Sequence, residues 1–234
     1  MCGRFALTLP PELLMELFGL ASLPSVAPRY NIAPTQAVAI IRKIDGGRKL
    51  ELVRWGLVPH WAKDLSIGAK LINARSETLA TKASFREAFR SRRCVIPADG
   101  FYEWMTEGKK KVPWFICRKD RQPVLFAGLW DRWVGPEQMV VESCTIVTTE
   151  ANQTVRPLHD RMPVILGPEQ AELWLSPDPA SMESLSQLLV PAPEELLTSY
   201  QVNPLVNSAG HDDPACLEPA TPGAYSQSEQ PSLF

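Results

Sequence analysis

The 234-residue sequence has only three histidines, far apart at His60, His159 and His211. Its five cysteines (Cys2, Cys94, Cys117, Cys144 and Cys216) are scattered, odd in number and form no C-x-x-C pair. Neither a zinc cluster nor a disulfide framework is expected from such a set. The dipeptide His159-Asp160 could suggest a metal-dependent phosphohydrolase, but the further paired His and Asp ligands that chemistry needs are missing. We expect no metal and no cofactor. No apolar run approaches the roughly 20 residues of a membrane span. Residues 1–20 hold Arg4, Glu12 and Glu16 where a signal peptide would be apolar. A cytoplasmic protein with no membrane partner is the expectation.

Basic residues are absent from the end of the chain. All 24 Lys and Arg lie in residues 1–161, which carry a net +8, while Met162–Phe234 carries −10. The overall balance of −2 therefore hides an asymmetry suited to a basic binding face with an acidic C-terminal portion. An acidic end that aids solubility is the plainer reading, and both can hold.

At this length one domain is the default. The segment 10–19 predicts a short helix, with Pro at its start, Leu13, Leu14, Leu17 and Phe18 on one face and Gly19 at its end. Residues 20–36 read as a proline-punctuated loop. Apolar runs at 37–42, 50–58, 93–98, 100–105, 112–118, 123–130 and 139–148 are rich in β-branched and aromatic residues and predict strands. The EGKKK at 107–111 reads as a hairpin turn between two of them. A basic helix is expected over 84–93 with Phe85 and Phe89 inward. Further helices are expected at 168–175 and 180–189, then a strand at 198–203. With no βαβ repetition, the fold class is α+β: antiparallel strands curled into a barrel-like core with short flanking helices. The domain should span 2–219, leaving 220–234, rich in Pro, Ser and Gln, as a disordered tail.

The chain opens Met1-Cys2-Gly3-Arg4-Phe5. Initiator methionine is removed when the next side chain is small, and Cys qualifies. The mature chain would then begin with an α-amine and a thiol on adjacent carbons. Near pH 7 an α-amine of pKa about 7.7–8.0 is partly neutral. Such a 1,2-aminothiol traps aldehydes: the amine forms a Schiff base and the thiol closes a five-membered thiazolidine, helped by proximity. From position alone, the plainer reading prevails: Cys2 is one small residue beside a start codon.

Other segments bear on that choice: MCGRFA at 1–6, RYNIAP at 29–34, WGLVPHW at 55–61, INARSET at 72–78, CVIPADGFYEW at 94–104 and LHDRMPVIL at 158–166. In set and order they resemble the SOS response-associated peptidase (SRAP) family, the abasic-site processing proteins, from Cys2 to about Pro219. The resemblance implies a covalent crosslink from the N-terminal Cys, here Cys2, to abasic sites in single-stranded DNA, whose open sugar is an aldehyde. It gives catalytic or positioning roles to Asn73, Glu103 and His159. Glu103, among Phe101, Tyr102 and Trp104, would have its pKa raised by desolvation. His159 could donate to the sugar ring oxygen, and Asn73 could bond the Cys2 backbone. Each has a plainer reading: an outward Glu at a sheet edge, a satisfied His, an Asn capping the turn into 76–82.

DNA contacts need cations and flat surfaces. Arg4, Arg75 and Arg161 share motifs with the chemical groups and are the leading phosphate contacts, followed by Arg86. Trp61 could stack on a base. Asn31 and Pro34 resemble family positions that shape the cleft. Arg90, Arg92, Arg93 and Lys109–Lys111 rank lower, as charge runs usually just face solvent. His60 stands where relatives can carry a second aromatic. The expected partner is single-stranded DNA with abasic sites, bound by a monomer that is nucleoid-associated when on DNA. Lyase activity by β-elimination could accompany the Schiff base. The family name adds a peptidase hypothesis, although only Met1 precedes Cys2, and a non-covalent reader of modified bases is a third.

Overall fold

The computed structural model describes residues 2–20, 22, 26–44, 46–177 and 182–220. In chain order the strands are β1 (Phe5–Leu7), β2 (Arg29–Ile32), β3 (Ala37–Ile44), β4 (Gly47–Trp55), β5 (Asn73–Arg75), β6 (Arg93–Ala98), β7 (Gly100–Glu107), β8 (Lys110–Arg118), β9 (Val124–Val134), β10 (Val140–Glu150), β11 (Arg161–Pro163) and β12 (Leu197–Gln201). The α-helices are α1 (Pro11–Phe18), α2 (Arg86–Ser91), α3 (Pro168–Leu175) and α4 (Met182–Gln187). The tail predicted over 220–234 lies, apart from Ala220, outside the described residues.

Strands β10, β4, β3, β6 and β9 pair in that order, and β9 returns to β10 across seven residue pairs, closing a five-stranded barrel. Beside it lies an antiparallel sheet in the order β12-β8-β7-β1-β2. The fold is the expected α+β barrel with short helices. It departs from uniform antiparallel pairing at β10, which runs parallel to both β4 and β5. Four short strands fall where none was predicted: β1, β2, β5 and β11. At three or four residues they show no alternation to read, and their pairing is set by distant partners.

Four rings join barrel to sheet. Phe5 meets Trp55 edge-on at 5.1 Å and Phe126 at 6.0 Å, and Phe101 meets Phe126 at 6.0 Å. All are buried, and such edge contacts add about 0.5–1.5 kcal/mol each beyond burial. Trp55 is a core residue, and its Nε1 donates to Ile72 O at 2.9 Å.

Arg93 overturns its reading as a solvated charge. Its guanidinium is buried and donates to Trp174 O (2.7 Å), Phe89 O (2.8 Å) and Ser176 O (2.5 Å), and also to Arg90 O. One side chain thereby satisfies carbonyls at the C-terminal ends of both α2 and α3, groups that a helix leaves open.

Candidate active site at the chain's N-terminus

Cys2 leads into β1, whose pairing with β7 continues past the strand through Tyr102 N–H donating to Arg4 O at 2.9 Å. Alternation along β7 sends Phe101 and Glu103 to the barrel side, while Tyr102 and Trp104 pack on the opposite face. Cys2 is fully buried, and Glu103 is 5% exposed. The outward, sheet-edge reading of Glu103 does not hold. From the barrel side, β5 brings in Asn73, whose Nδ2 donates to Cys2 O at 2.8 Å. That bond ties the first residues of the chain to the barrel, and the Asn73 side chain caps no helix.

The charges form one field. Burial raises the Glu103 carboxyl from 4.5 to about 7, the positive chain terminus pulls it back, and Asp160 adds to the rise. Burial pushes the Cys2 thiol well up, with the Glu103 charge assisting. His159 is shifted down by burial and then by the positive terminus, against the pull of Asp160. Glu103 on β7 and His159 in the turn before β11 thus share one field, each shifted by the positive terminus and by Asp160. Two contacts at His159 Nδ1 ask for opposite roles: Arg161 N–H donates to it at 2.9 Å, while Asp160 Oδ1 lies 2.7 Å away. The downward shift favours a neutral ring, with Nδ1 accepting and the proton on Nε2. Asp160, mostly exposed, is the weaker constraint.

The predicted DNA contacts divide. Arg75 and Arg86 are exposed, and Trp61 is 49% exposed. Pro34 is half-buried before Thr35, whose φ of 72° is left-handed. Asn31 is buried outright: Nδ2 donates to Val206 O, Ser208 O and His211 O at 3.2, 3.0 and 2.6 Å, and Oδ1 accepts from Arg4. It can shape a cleft but cannot touch DNA. Arg4 donates to Asn31 Oδ1 (2.6 Å) and Val206 O (2.9 Å) and lies over the Trp104 ring at 5.6 Å. It therefore sits on the sheet face opposite Glu103. Arg161 forms a bidentate pair with Glu77 (2.6 and 3.0 Å) and donates to Thr148 O at 2.7 Å, so a phosphate would have to displace Glu77. Sequence reasoning missed Glu77, Asp160 and Trp104 as partners. All three sit inside the quoted motifs, but only folding reveals their pairing.

Among the described residues no three His, Cys, Asp or Glu side chains gather as a metal site, and no helix is long and apolar enough to cross a membrane. A closed barrel backed by a sheet, with the Asn73 amide bonded to a buried Cys2 and the Glu103 carboxylate in its field, defines an α+β protein with its candidate site where barrel and sheet meet. The chain belongs to the SOS response associated peptidase (SRAP) family, whose model matches residues 1–209. It is 43% identical over 222 residues to the abasic site processing protein YoqW of Bacillus subtilis (strain 168), covering 93% of this chain and 99% of that one. It is 36% identical over 194 residues to the abasic site processing protein YedK of Escherichia coli (strain K12), covering 79% and 83%. A crystal structure of a protein from Bacteroides thetaiotaomicron superimposes with a TM-score of 0.85 at 28% identity, covering 94% of this chain and all of that one.

Proposed function

We propose that this protein binds abasic sites in single-stranded DNA and traps them as a thiazolidine on Cys2, shielding the lesion from strand cleavage. Once Met1 is removed, the α-amine passes to Cys2, whose carbonyl Asn73 already holds. The amine adds to C1′ of the opened sugar, giving a carbinolamine. Glu103 takes the proton released by nitrogen and returns one to the departing hydroxyl, so water leaves and an imine remains. Cys2 Sγ then adds to the imine carbon and the thiol proton passes to nitrogen. The net change is loss of one water. His159, neutral with Nε2–H available, donates to the ring oxygen as the closed sugar opens. Should the imine persist, the same groups permit β-elimination, a lyase side reaction.

The observation that carries this reading is the Cys2–Asn73 clamp beside a buried carboxylate that titrates near neutrality. The family name offers peptidase chemistry instead. A hydrolytic cysteine must attack a separate peptide as a thiolate, which burial of the Cys2 thiol opposes, whereas ring closure onto the Cys2 imine is intramolecular. The test is incubation with single-stranded DNA bearing one abasic site, followed by denaturing electrophoresis. A retarded band is expected. Its absence, with an N-terminal Cys2 confirmed by mass, would remove the proposal, and a complex that dissolves in denaturant would make the protein a non-covalent reader.

A further inference from the structure

We propose that Asp131, on the barrel wall, is a positioning residue that holds Trp61 as a pre-set platform for stacking a nucleic-acid base. The proposal rests on the DNA-binding reading above. Trp61 lies in the loop between β4 and β5, and half of a large apolar side chain is left in solvent there.

The loop is held from end to end. It begins at Gly56, with φ 124°, where a Cβ would meet Gly68 O at 2.6 Å, so backbone packs directly on backbone. Val58 N–H donates to Ser143 Oγ at 2.8 Å. His60 N–H donates to Asp131 Oδ2 at 3.0 Å. Ala62 O accepts from Trp133 Nε1 at 2.7 Å. The anchored residues are 58, 60 and 62, so Trp61 falls between two fixed points and faces outward. The anchors share one face of the wall as well. Asp131 and Trp133 are two apart on β9, and Ser143 stands directly opposite Asp131 on β10.

Asp131 is the centre of this arrangement and is 3% exposed. Its Oδ2 accepts the backbone N–H of His60 and lies 3.2 Å from the ring Nδ1. Its Oδ1 accepts Arg132 N–H at 2.8 Å and lies 3.1 Å from Arg92 Nε. His60 Nε2 and Arg92 each reach Glu87 on α2, at 3.4 and 3.5 Å. A buried carboxylate is costly to keep, and an apolar residue would pack β9 as well. What this carboxylate adds is a double grip on the residue next to Trp61. An aromatic surface fixed before binding avoids the ordering cost of an indole on a loose loop, and stacking tolerates any base because every base has a flat face.

Binding of a labelled, undamaged single-stranded oligonucleotide is measured by anisotropy for wild type, Trp61→Ala, Asp131→Asn, His60→Ala and the Asp131→Asn/Trp61→Ala double variant. Trp61→Ala should weaken binding roughly 10-fold, within the range for one stacked base. Asp131→Asn should weaken it about 3- to 10-fold, yet cost nothing further in the Trp61→Ala background, because it acts through the indole. His60→Ala, which keeps the backbone bond to Asp131, should give a smaller loss and carries the test if Asp131→Asn does not fold. Asp131→Asn and His60→Ala binding as wild type, or an Asp131→Asn loss that persists without Trp61, would overturn the proposal. So would a Trp61→Ala variant with undiminished affinity. Crosslinking to abasic DNA is scored in a separate lane. Its failure in wild type would count against the proposed chemistry and not against the platform.

Discussion

Replacing Glu103 by Gln should make the protein more stable and its chemistry slower. Gln keeps the shape and hydrogen-bonding reach of the carboxylate and carries no charge to desolvate. Burial lifts the Glu103 carboxyl from 4.5 to about 7 in the folded chain. At 1.36 kcal/mol per pH unit this corresponds to up to about 3 kcal/mol. The sign follows from proton binding. Between these two values the folded protein holds a proton that the unfolded chain has released, so stability falls as pH rises through that window and stays low above it. Glu103→Gln removes the loss. At pH 8 its Tm should exceed wild type by several degrees, at about 2–4 °C per kcal/mol for a chain of this size, and near pH 4 the two should coincide. Over the same range the single-turnover crosslinking rate should fall by about 10²–10⁴-fold, or roughly 3–5 kcal/mol of barrier. The wild-type rise in rate through pH 7, from the carboxylate form acting as base, should vanish. The assays are thermal melts and quenched crosslinking time courses at matched pH. A variant that crosslinks at the wild-type rate, or melts lower than wild type at pH 8, would refute the reasoning.

Cys2→Ala should abolish the denaturant-stable adduct, and Cys2→Ser should yield a shorter-lived one, since an oxazolidine is less stable than a thiazolidine; equal adduct lifetimes on gels would show that the thiol is dispensable. Arg75→Ala and Arg86→Ala should each reduce the salt slope of single-stranded DNA binding by about 0.7, whereas Arg161→Ala, whose guanidinium is engaged with Glu77, should change it less; titrations at several salt concentrations decide, and equal effects from all three would contradict the assignment. Arg93→Lys should cost about 2–4 kcal/mol in chemical denaturation, because an ammonium cannot span the four carbonyls that the guanidinium reaches; a loss below about 0.5 kcal/mol would remove its two-helix capping role.

The long strands and α1 were legible because each carries a run of apolar or β-branched residues long enough to show its period. β2 read as loop and β1 drew no prediction, because three or four residues carry no such signal; β1 is held by β7 and β2, and β2 by β1. At the site, the aminothiol chemistry only made Cys2 a candidate; the motifs around it and around Asn73, Glu103 and His159, by resemblance, are what singled these residues out. The arginines were not legible. A guanidinium's partner is chosen by tertiary structure, so Arg4 and Arg161 looked as available as Arg75, and Arg93 read as a solvated charge. Asp131 did leave a trace: in GLWDRWV it is a carboxylate in the buried phase of an alternating strand, flanked by tryptophans.

The placement of Cys2 also has a mechanical meaning. It is the lead-in to β1, which is paired with β7 on one side and β2 on the other, and its carbonyl is held by Asn73 of β5. Any load drawn through a bond to Cys2, such as a motor running along the same DNA strand, would pull along β1. That direction shears the hydrogen bonds on both flanks together and drags on the barrel through Asn73, instead of peeling contacts one by one. A nucleophile on a loop would yield by unravelling. Here, in the proposed adduct, extracting the anchor would require contacts to the sheet and to the barrel to give way together.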